Sequence, residues 1–254
     1  MNDGSDQEAL ANVDVERRLD ERAAREGRPS PLDVAFLSNR TPVTEVLLIR
    51  HAHQHLDLGG PIGGYLDPPL SPLGARQAQL LGAALSTTRI DAVYTSPLRR
   101  ALATAEAIGR HHRLPAIATE ELKEIAVFRD APQNISSLDL MGSEVLATLR
   151  HRFIRERSWD VYPYSEPSSE FRRRVVNAIE TVISSHADQR VAVVCHGGVI
   201  NAYVSYVLGS TFDVLFRPAH TSISIVATGD GVHTLYTLND VHHLSAGVAD
   251  LRSV

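Results

Sequence analysis

Thiol and ammonium groups are nearly missing from this chain of 254 residues, which holds one cysteine, Cys195, and one lysine, Lys123. A single cysteine excludes an intrachain disulfide. Because Cys195 lies inside the apolar run VAVVCH, a small buried thiol explains it better than a thiolate nucleophile does. Basic surfaces are scarce as well: the formal net charge is −5, which argues against a general nucleic-acid binder, since phosphate-backbone affinity needs a basic face. Any anion site must therefore be local, and it must be built from arginine, the better fork for phosphate. No apolar run approaches the length that crosses a bilayer, so no membrane association is expected. The first residues lack the apolar core of a secretory signal and carry too many acids for a transit peptide, so the expected location is cytoplasmic.

What is present is the composition of a globular protein, 43% hydrophobic and 22% charged, with enough length for one large core. Residues 1–42 read as a charged N-terminal extension and a proline-containing connector, RPSPLDVAFLSNRTP, and residues 43–254 as the main domain. The apolar quartet Val34, Ala35, Phe36 and Leu37 is suited to dock on that domain. The run VTEVLLIR then reads as a buried strand, ending in an arginine beside the alternating histidines HAHQH. A Gly/Pro-rich loop, DLGGPIGGYLDPPL, leads to Ser71, placed to cap a helix with Pro72 in its first turn. DAVYTS is a second strand, followed by a helix opened by Pro97, and VAVVCH is a third strand feeding GGVINAYVSYVLG.

Further helices are predicted over SEVLATLRHRFIRER, with Val145, Leu146, Leu149 and Phe153 facing inward, and over residues 168–186, where Phe171, Val175, Ile179 and Ile183 recur every fourth position. SISIVATGDGVHTLYTL reads as two strands joined around Gly229-Asp230-Gly231 at a sheet edge. Repeated βα units predict an α/β fold, a three-layer α/β/α sandwich with a mostly parallel central sheet and its site at the carboxyl ends of the strands.

Three of the strand-to-helix junctions carry chemistry: Arg50 with His51, Arg99 with Arg100, and His196 with Gly197 and Gly198. Cationic forks, imidazoles and helix-start amides suit the equatorial oxygens of a phosphoryl group in transfer, and an imidazole in line with the reaction can act as nucleophile. Taken in order, LLIRHAHQ, LDPPLSPLGARQAQLLGAAL, YTSPLRRALATAEAIG, ELKEI and VAVVCHGGVI resemble the motifs of the histidine phosphatase superfamily, also called the phosphoglycerate mutase-like family. The resemblance runs from residue 43 to the NDVHHL segment. It implies that His51 becomes phosphorylated, that Arg50, Arg100, His196 and Gly197 bind the transferred phosphate, and that Glu124 protonates the leaving oxygen and then activates water. Arg100 rather than Arg99 matches, because it precedes Ala101 of the RAxxTA pattern, and Glu124 is chosen over Glu120 and Glu121 by its Leu-x-Glu spacing. No metal and no organic cofactor is implied.

The chain also departs from the family. Ala52 stands where glycine is usual, His53 where Glu or Gln is usual, and Asp57 at the position of a phosphate-binding asparagine, where a carboxylate is unfavourable and is left out of the site. His53 and His55 are candidate substrate contacts, although loop histidines need have no such role. Three other readings compete: a metallohydrolase using the HxHxH cluster, a noncatalytic phospho-ligand-binding module, and a phosphoglycerate mutase-type transferase. Arg50 would oppose a metal's charge, and the segment after Glu124, AVFRDAPQNISSLDLMG, lacks the Tyr-Gly-x-Leu-x-Gly pattern of the mutases, so hydrolysis is favoured. Residues from about 126 to 166 are the expected cap over the pocket. There Arg150, Arg152, Arg155 and Arg157 read more readily as a solvated helix face than as an anion site, and Trp159, Tyr162 and Tyr164 as an apolar edge or core. The expected partner is a small phosphorylated metabolite, and a homodimer is the commonest closed assembly.

Overall fold

The computed structural model describes residues 43–55, 60–229 and 231–244, together with Phe36. Strand β1 (Thr44–Arg50) buries Val46, Leu47, Leu48 and Ile49 to 2% exposure or less, because it is covered on both faces. Val46 and Leu48 join one apolar cluster and Leu47 and Ile49 another, as the twofold alternation of a strand requires. Each cluster belongs to one helical layer. On one side α1 (Pro72–Leu85) and α2 (Arg99–His112) contribute Leu81, Ala105 and Ile108, and on the other α5 (Ser168–Ser185) and α6 (Gly197–Val207) contribute Phe171, Val175, Ile179 and Ile200, as the repeat of apolar residues in α5 predicts.

The sandwiched sheet has six strands in the order β3-β2-β4-β1-β5-β6, with β2 at Ala92–Thr95, β3 at Ala116–Ala118, β4 at Arg190–Cys195, β5 at Ile223–Gly229 and β6 at Val232–Asp240. β3, β2, β4 and β1 pair in parallel, whereas β5 runs antiparallel to β1 and to β6, so the sheet is mixed and its β5–β6 hairpin forms one edge. β3 at the other edge has no counterpart in the sequence reading: three half-exposed residues, AIA, carry too little apolar pattern to register.

Two helices differ from expectation. α2 begins at Arg99 rather than at Pro97, because Ser96 Oγ accepts the Leu98 N–H at 3.3 Å and holds the intervening residues in a turn, while the Arg99 N–H is taken by Asp67 Oδ1 at 2.7 Å. After the single-turn α3 (Ser137–Met141), α4 (Ser143–Glu156) lies on the surface and buries only Leu149; Val145, expected inside, is 48% exposed. Phe153 is half-buried and packs on Trp159 and Tyr162, with ring centroids 4.6 and 5.5 Å away. Among the described residues no helix is long and apolar enough to cross a membrane. Of the Val34–Leu37 quartet only Phe36 is described; its side chain is 56% exposed and its carbonyl accepts from Tyr236 Oη at 2.9 Å, and the other three lie outside the described residues.

α1 is capped as expected, with Ser71 Oγ accepting the Gly74 N–H at 3.0 Å and Pro72 at the helix start. Its first turn presses so closely on the strand end that a Cβ at Gly74 would collide with the His53 carbonyl. Because that obstacle is backbone, Gly74→Ala should destabilise the fold by about 1–3 kcal/mol, read as a lower urea midpoint at unchanged slope. An unchanged midpoint would mean that the α1 contact is looser than described.

Candidate active site

β1 and β4 pair in register with Arg50 opposite Cys195, and the ladder continues as the His51 N–H donates to Cys195 O at 2.9 Å. The next residue of each chain segment is therefore a histidine at the carboxyl edge, and the rings of His51 and His196 lie 5.0 Å apart. β2 ends beside them, its Ser96 N–H donating to Val194 O at 3.0 Å, which brings the start of α2 over the same edge. From α2, Arg100 Nε donates to His51 Nε2 at 3.3 Å and Nη1 to Leu66 O at 3.2 Å. Arg50 turns under the cluster and donates from Nη1 to Pro218 O at 2.5 Å.

These bonds define the tautomer of His51. His51 Nδ1 lies 2.7 Å from the Ala52 carbonyl and so carries the proton, which leaves Nε2 as the acceptor that Arg100 faces. Burial, then His196 and the two arginines, push the His51 pKa well below its ordinary value, so the ring is neutral and its Nε2 lone pair faces Arg100. At His196, Nε2 lies 2.8 Å from Ser96 Oγ, which also accepts the Leu98 N–H at 3.3 Å. Burial and the charges of Arg100, Arg50 and Arg174 keep this ring neutral too. Burial also pulls the Arg50 pKa down to about 10, still high enough to keep its charge.

Arg50 Nε and His196 Nδ1 are buried without a hydrogen-bond partner. An unpaired buried donor costs about 1–3 kcal/mol. The Arg50 donor and the unpartnered His196 nitrogen, beside His51 Nε2, suit an anion whose central atom meets the Nε2 lone pair.

Glu124 faces the cluster from the segment after β3. Its Oε2 accepts the Gly198 N–H at 3.1 Å and its Oε1 the N–H of Ile125 at 3.0 Å, and its charge acts on both Arg50 and Arg100. Gly197 begins α6, with Arg50 Nε and Pro218 Cδ each 3.9 Å from the place a Cβ would occupy. Arg50, His51, Arg100, Glu124, His196 and Gly197 are thus brought together. His53 borders them: its ring packs edge-on against His220 at 5.1 Å and its Nδ1 lies 2.7 Å from Ser71 Oγ. His55 is exposed, its N–H donating to Pro69 O, and Asp57 lies outside the described residues. Among the described residues no three ligand-type side chains are grouped to hold a metal, so the alternating histidines do not form the cluster their spacing suggested. Ala52 needs no glycine-like backbone: it is absent from the residues with positive φ, fully buried, and its N–H donates to Thr104 Oγ1 at 3.1 Å.

On α4 the arginine face is solvated as expected, with Arg152 and Arg155 both paired to Glu156 at the surface. Sequence reasoning missed His220, buried and 5.7 Å ring to ring from His51, because a lone histidine in the loop AHTS carries no motif. Ser96 and Thr104 were missed in their roles as well; both stand inside the motif around Arg100, where a polar residue next to a strand end was the available signal.

A buried imidazole lone pair among arginines, with a carboxylate opposite, defines a phosphohydrolase site on an α/β sandwich. The chain belongs to the histidine phosphatase superfamily (branch 1), whose model matches residues 46–241. Among its relatives, Phosphoserine phosphatase 1 of Hydrogenobacter thermophilus is 28% identical over 210 residues, 80% of this chain and 95% of that protein. The metal-independent phosphoserine phosphatase of Arabidopsis thaliana is 28% identical over 212 residues, 80% of this chain and 84% of that one. The solved structure of Bacillus stearothermophilus YhfR superposes with a TM-score of 0.68 at 24% identity, covering 79% of this chain and 98% of that chain, and so shares the fold.

Two outcomes follow from this geometry. His51 and His196 are neutral when folded but take up protons when unfolded, so the unfolded state gains protons as pH drops below the ordinary imidazole value of 6.5. Stability should therefore be lost as pH falls from 6.5 towards about 5, seen as a declining melting temperature, and the decline should shrink in His196→Gln. A Cβ at Gly198 would meet Glu124 Oε1 and, at 3.3 Å, Phe171 Cζ. Gly198→Ala should lower turnover by about tenfold or more while stability stays within about 1 kcal/mol, because the added methyl favours the helix as it displaces the carboxylate. Full activity in that variant would show that Glu124 is not held where the chemistry needs it.

Proposed function

We propose that the protein hydrolyses small phosphate monoesters through a phosphohistidine formed on His51, and the observation that carries this is the pair of unpartnered buried nitrogens, Arg50 Nε and His196 Nδ1, beside His51 Nε2, whose lone pair faces Arg100 Nε. Nε2 attacks phosphorus as the ester P–O bond breaks, and a protonated Glu124 gives its proton to the departing oxygen. Water then attacks the phosphohistidine, the Glu124 carboxylate takes its proton, and the P–N electron pair returns to Nε2. Arg50, Arg100, His196 and the start of α6 at Gly197 hold the oxygens through both steps.

The names of the Hydrogenobacter and Arabidopsis relatives support a substrate such as phosphoserine, with the 126–166 segment as the cap that meets the leaving group. A small phosphomonoester is too highly charged to cross a bilayer unaided, which favours a cytoplasmic site of action. His51→Ala should lower release of phosphate from phosphoserine and p-nitrophenyl phosphate by about a thousandfold or more. Rapid quenching of the unmodified protein should trap a phosphoenzyme that survives alkali and is lost in acid, as a P–N bond is. Undiminished hydrolysis by the variant refutes the nucleophile, and isomer formation from 3-phosphoglycerate without free phosphate would favour a mutase.

A further inference from the structure

Glu124, Ile125 and Ala126 belong to no helix or strand, so nothing in the sheet itself keeps the Glu124 carboxylate in place. From α5, Arg174 reaches across to this segment. Its Nη1 donates to Glu121 O at 2.5 Å and to Lys123 O at 2.9 Å, and its Nη2 to Glu124 O at 3.4 Å. Nε and Nη2 also form a fork on Glu166, at 2.6 Å to Oε1 and 2.8 Å to Oε2. A guanidinium carries five N–H donors, and these contacts occupy all of them.

Glu166, only 7% exposed, then holds the chain two residues on: its N–H donates to Ala126 O at 3.1 Å and its Oε2 accepts the Ala126 N–H at 3.4 Å. The Phe171 ring supports the guanidinium at 4.8 Å. The pair therefore grips the backbone on both sides of Glu124. An apolar pair would stabilise such a junction as well as an ion pair does, but it could not bind these carbonyls and this amide.

We propose that Arg174 and Glu166 are positioning residues, a buried fork that locks residues 121–126 so that the Glu124 carboxylate stays against the Gly198 amide and within reach of the leaving oxygen. This rests on the reading of Glu124 as proton donor. Lysine at 174 keeps the charge but cannot form the fork, and glutamine at 166 keeps the shape but loses the charge.

The test compares kcat/KM for two esters, because that ratio reports events up to ester cleavage: p-nitrophenyl phosphate, whose leaving group needs no proton, and phosphoserine, whose alkoxide does. Arg174→Lys and Glu166→Gln should each lower kcat/KM for phosphoserine by about 10- to 100-fold and for p-nitrophenyl phosphate by no more than about threefold. Glu124→Gln should show the same selectivity. If it instead affects both esters equally, the proton-donor reading fails. If Glu124→Gln is selective while the Arg174 and Glu166 variants reduce both esters equally, or neither, positioning alone is overturned. Should Arg174→Lys fail to melt cooperatively, the near-isosteric Glu166→Gln decides, and loss of the fold in both variants would assign the pair a purely structural role.

Discussion

One backbone hydrogen bond, from the His51 N–H to Cys195 O, extends the β1–β4 ladder by a step and sets the geometry of everything at the carboxyl edge. A register slip of one residue would turn the side chains at the end of β1 to the opposite face and separate His51 from His196. Two apolar cores oppose that slip together, since Val46 and Leu48 on one face and Leu47 and Ile49 on the other would all be misplaced by it. On the other side of β1 the Thr221 N–H donates to Arg50 O at 3.1 Å and to His51 O at 3.4 Å. That contact holds a β-branched residue at φ 58°, a strain of about 1–3 kcal/mol that the surrounding packing must offset. The same turn carries His220 to the His51 ring, so the strained position lies beside the chemistry.

Placing two arginines and two histidines at one buried edge creates an electrostatic problem. The histidines meet it by staying neutral, through burial and through the mutual pressure of the positive charges. Arg50 cannot, and instead depends on Glu124 and on Pro218 O. The Pro218 carbonyl is itself positioned: Asn201 on α6 accepts the N–H groups of Leu215 and Phe216 and donates to the carbonyls of Phe216 and Gly197, so loop and helix start move together. Among these four side chains the buried atoms left without a partner are Arg50 Nε and His196 Nδ1, which face an incoming phosphate. The free energy stored in those atoms is released only by the ligand, which is how a preorganised anion site differs from a set of surface charges.

Much of this was legible in the chain because it lies in segments where pattern and chemistry coincide. The continuous apolar runs of β1 and β4 each end in a histidine, Ser71 and Pro72 announce α1, and the α5 repeat of Phe171, Val175, Ile179 and Ile183 is buried throughout. The failures occur where a residue's neighbours come from distant segments. Val145 fits a helical stripe, yet α4 has no layer above it to bury that side chain. HxHxH suggests converging ligands, yet past His51 the side chains part, His53 meeting Ser71 and His220 and His55 staying exposed. Arg174 and Glu166 look like ordinary surface charges of a helix and a loop, and only the fold shows that Arg174 reaches Glu124 O and Glu166 reaches Ala126.

The departures in the motif after His51 can now be read physically. Ala52 is tolerated because its backbone is not in the left-handed region, and Thr104 Oγ1, which accepts its N–H, in turn donates to Arg100 O at 2.7 Å. The substitution thus keeps His51 tied to the helix that carries the second arginine. His53 is held by Ser71 Oγ, which accepts the Gly74 N–H and lies 2.7 Å from His53 Nδ1 and 3.4 Å from His53 O. Burial and Arg50 lower the pKa of this ring, which favours the neutral form. His53 therefore brings an imidazole to the rim of the pocket without adding a further cation to a site that already holds Arg50 and Arg100. A lysine at this position would have added charge where the two arginines are already destabilised by their burial.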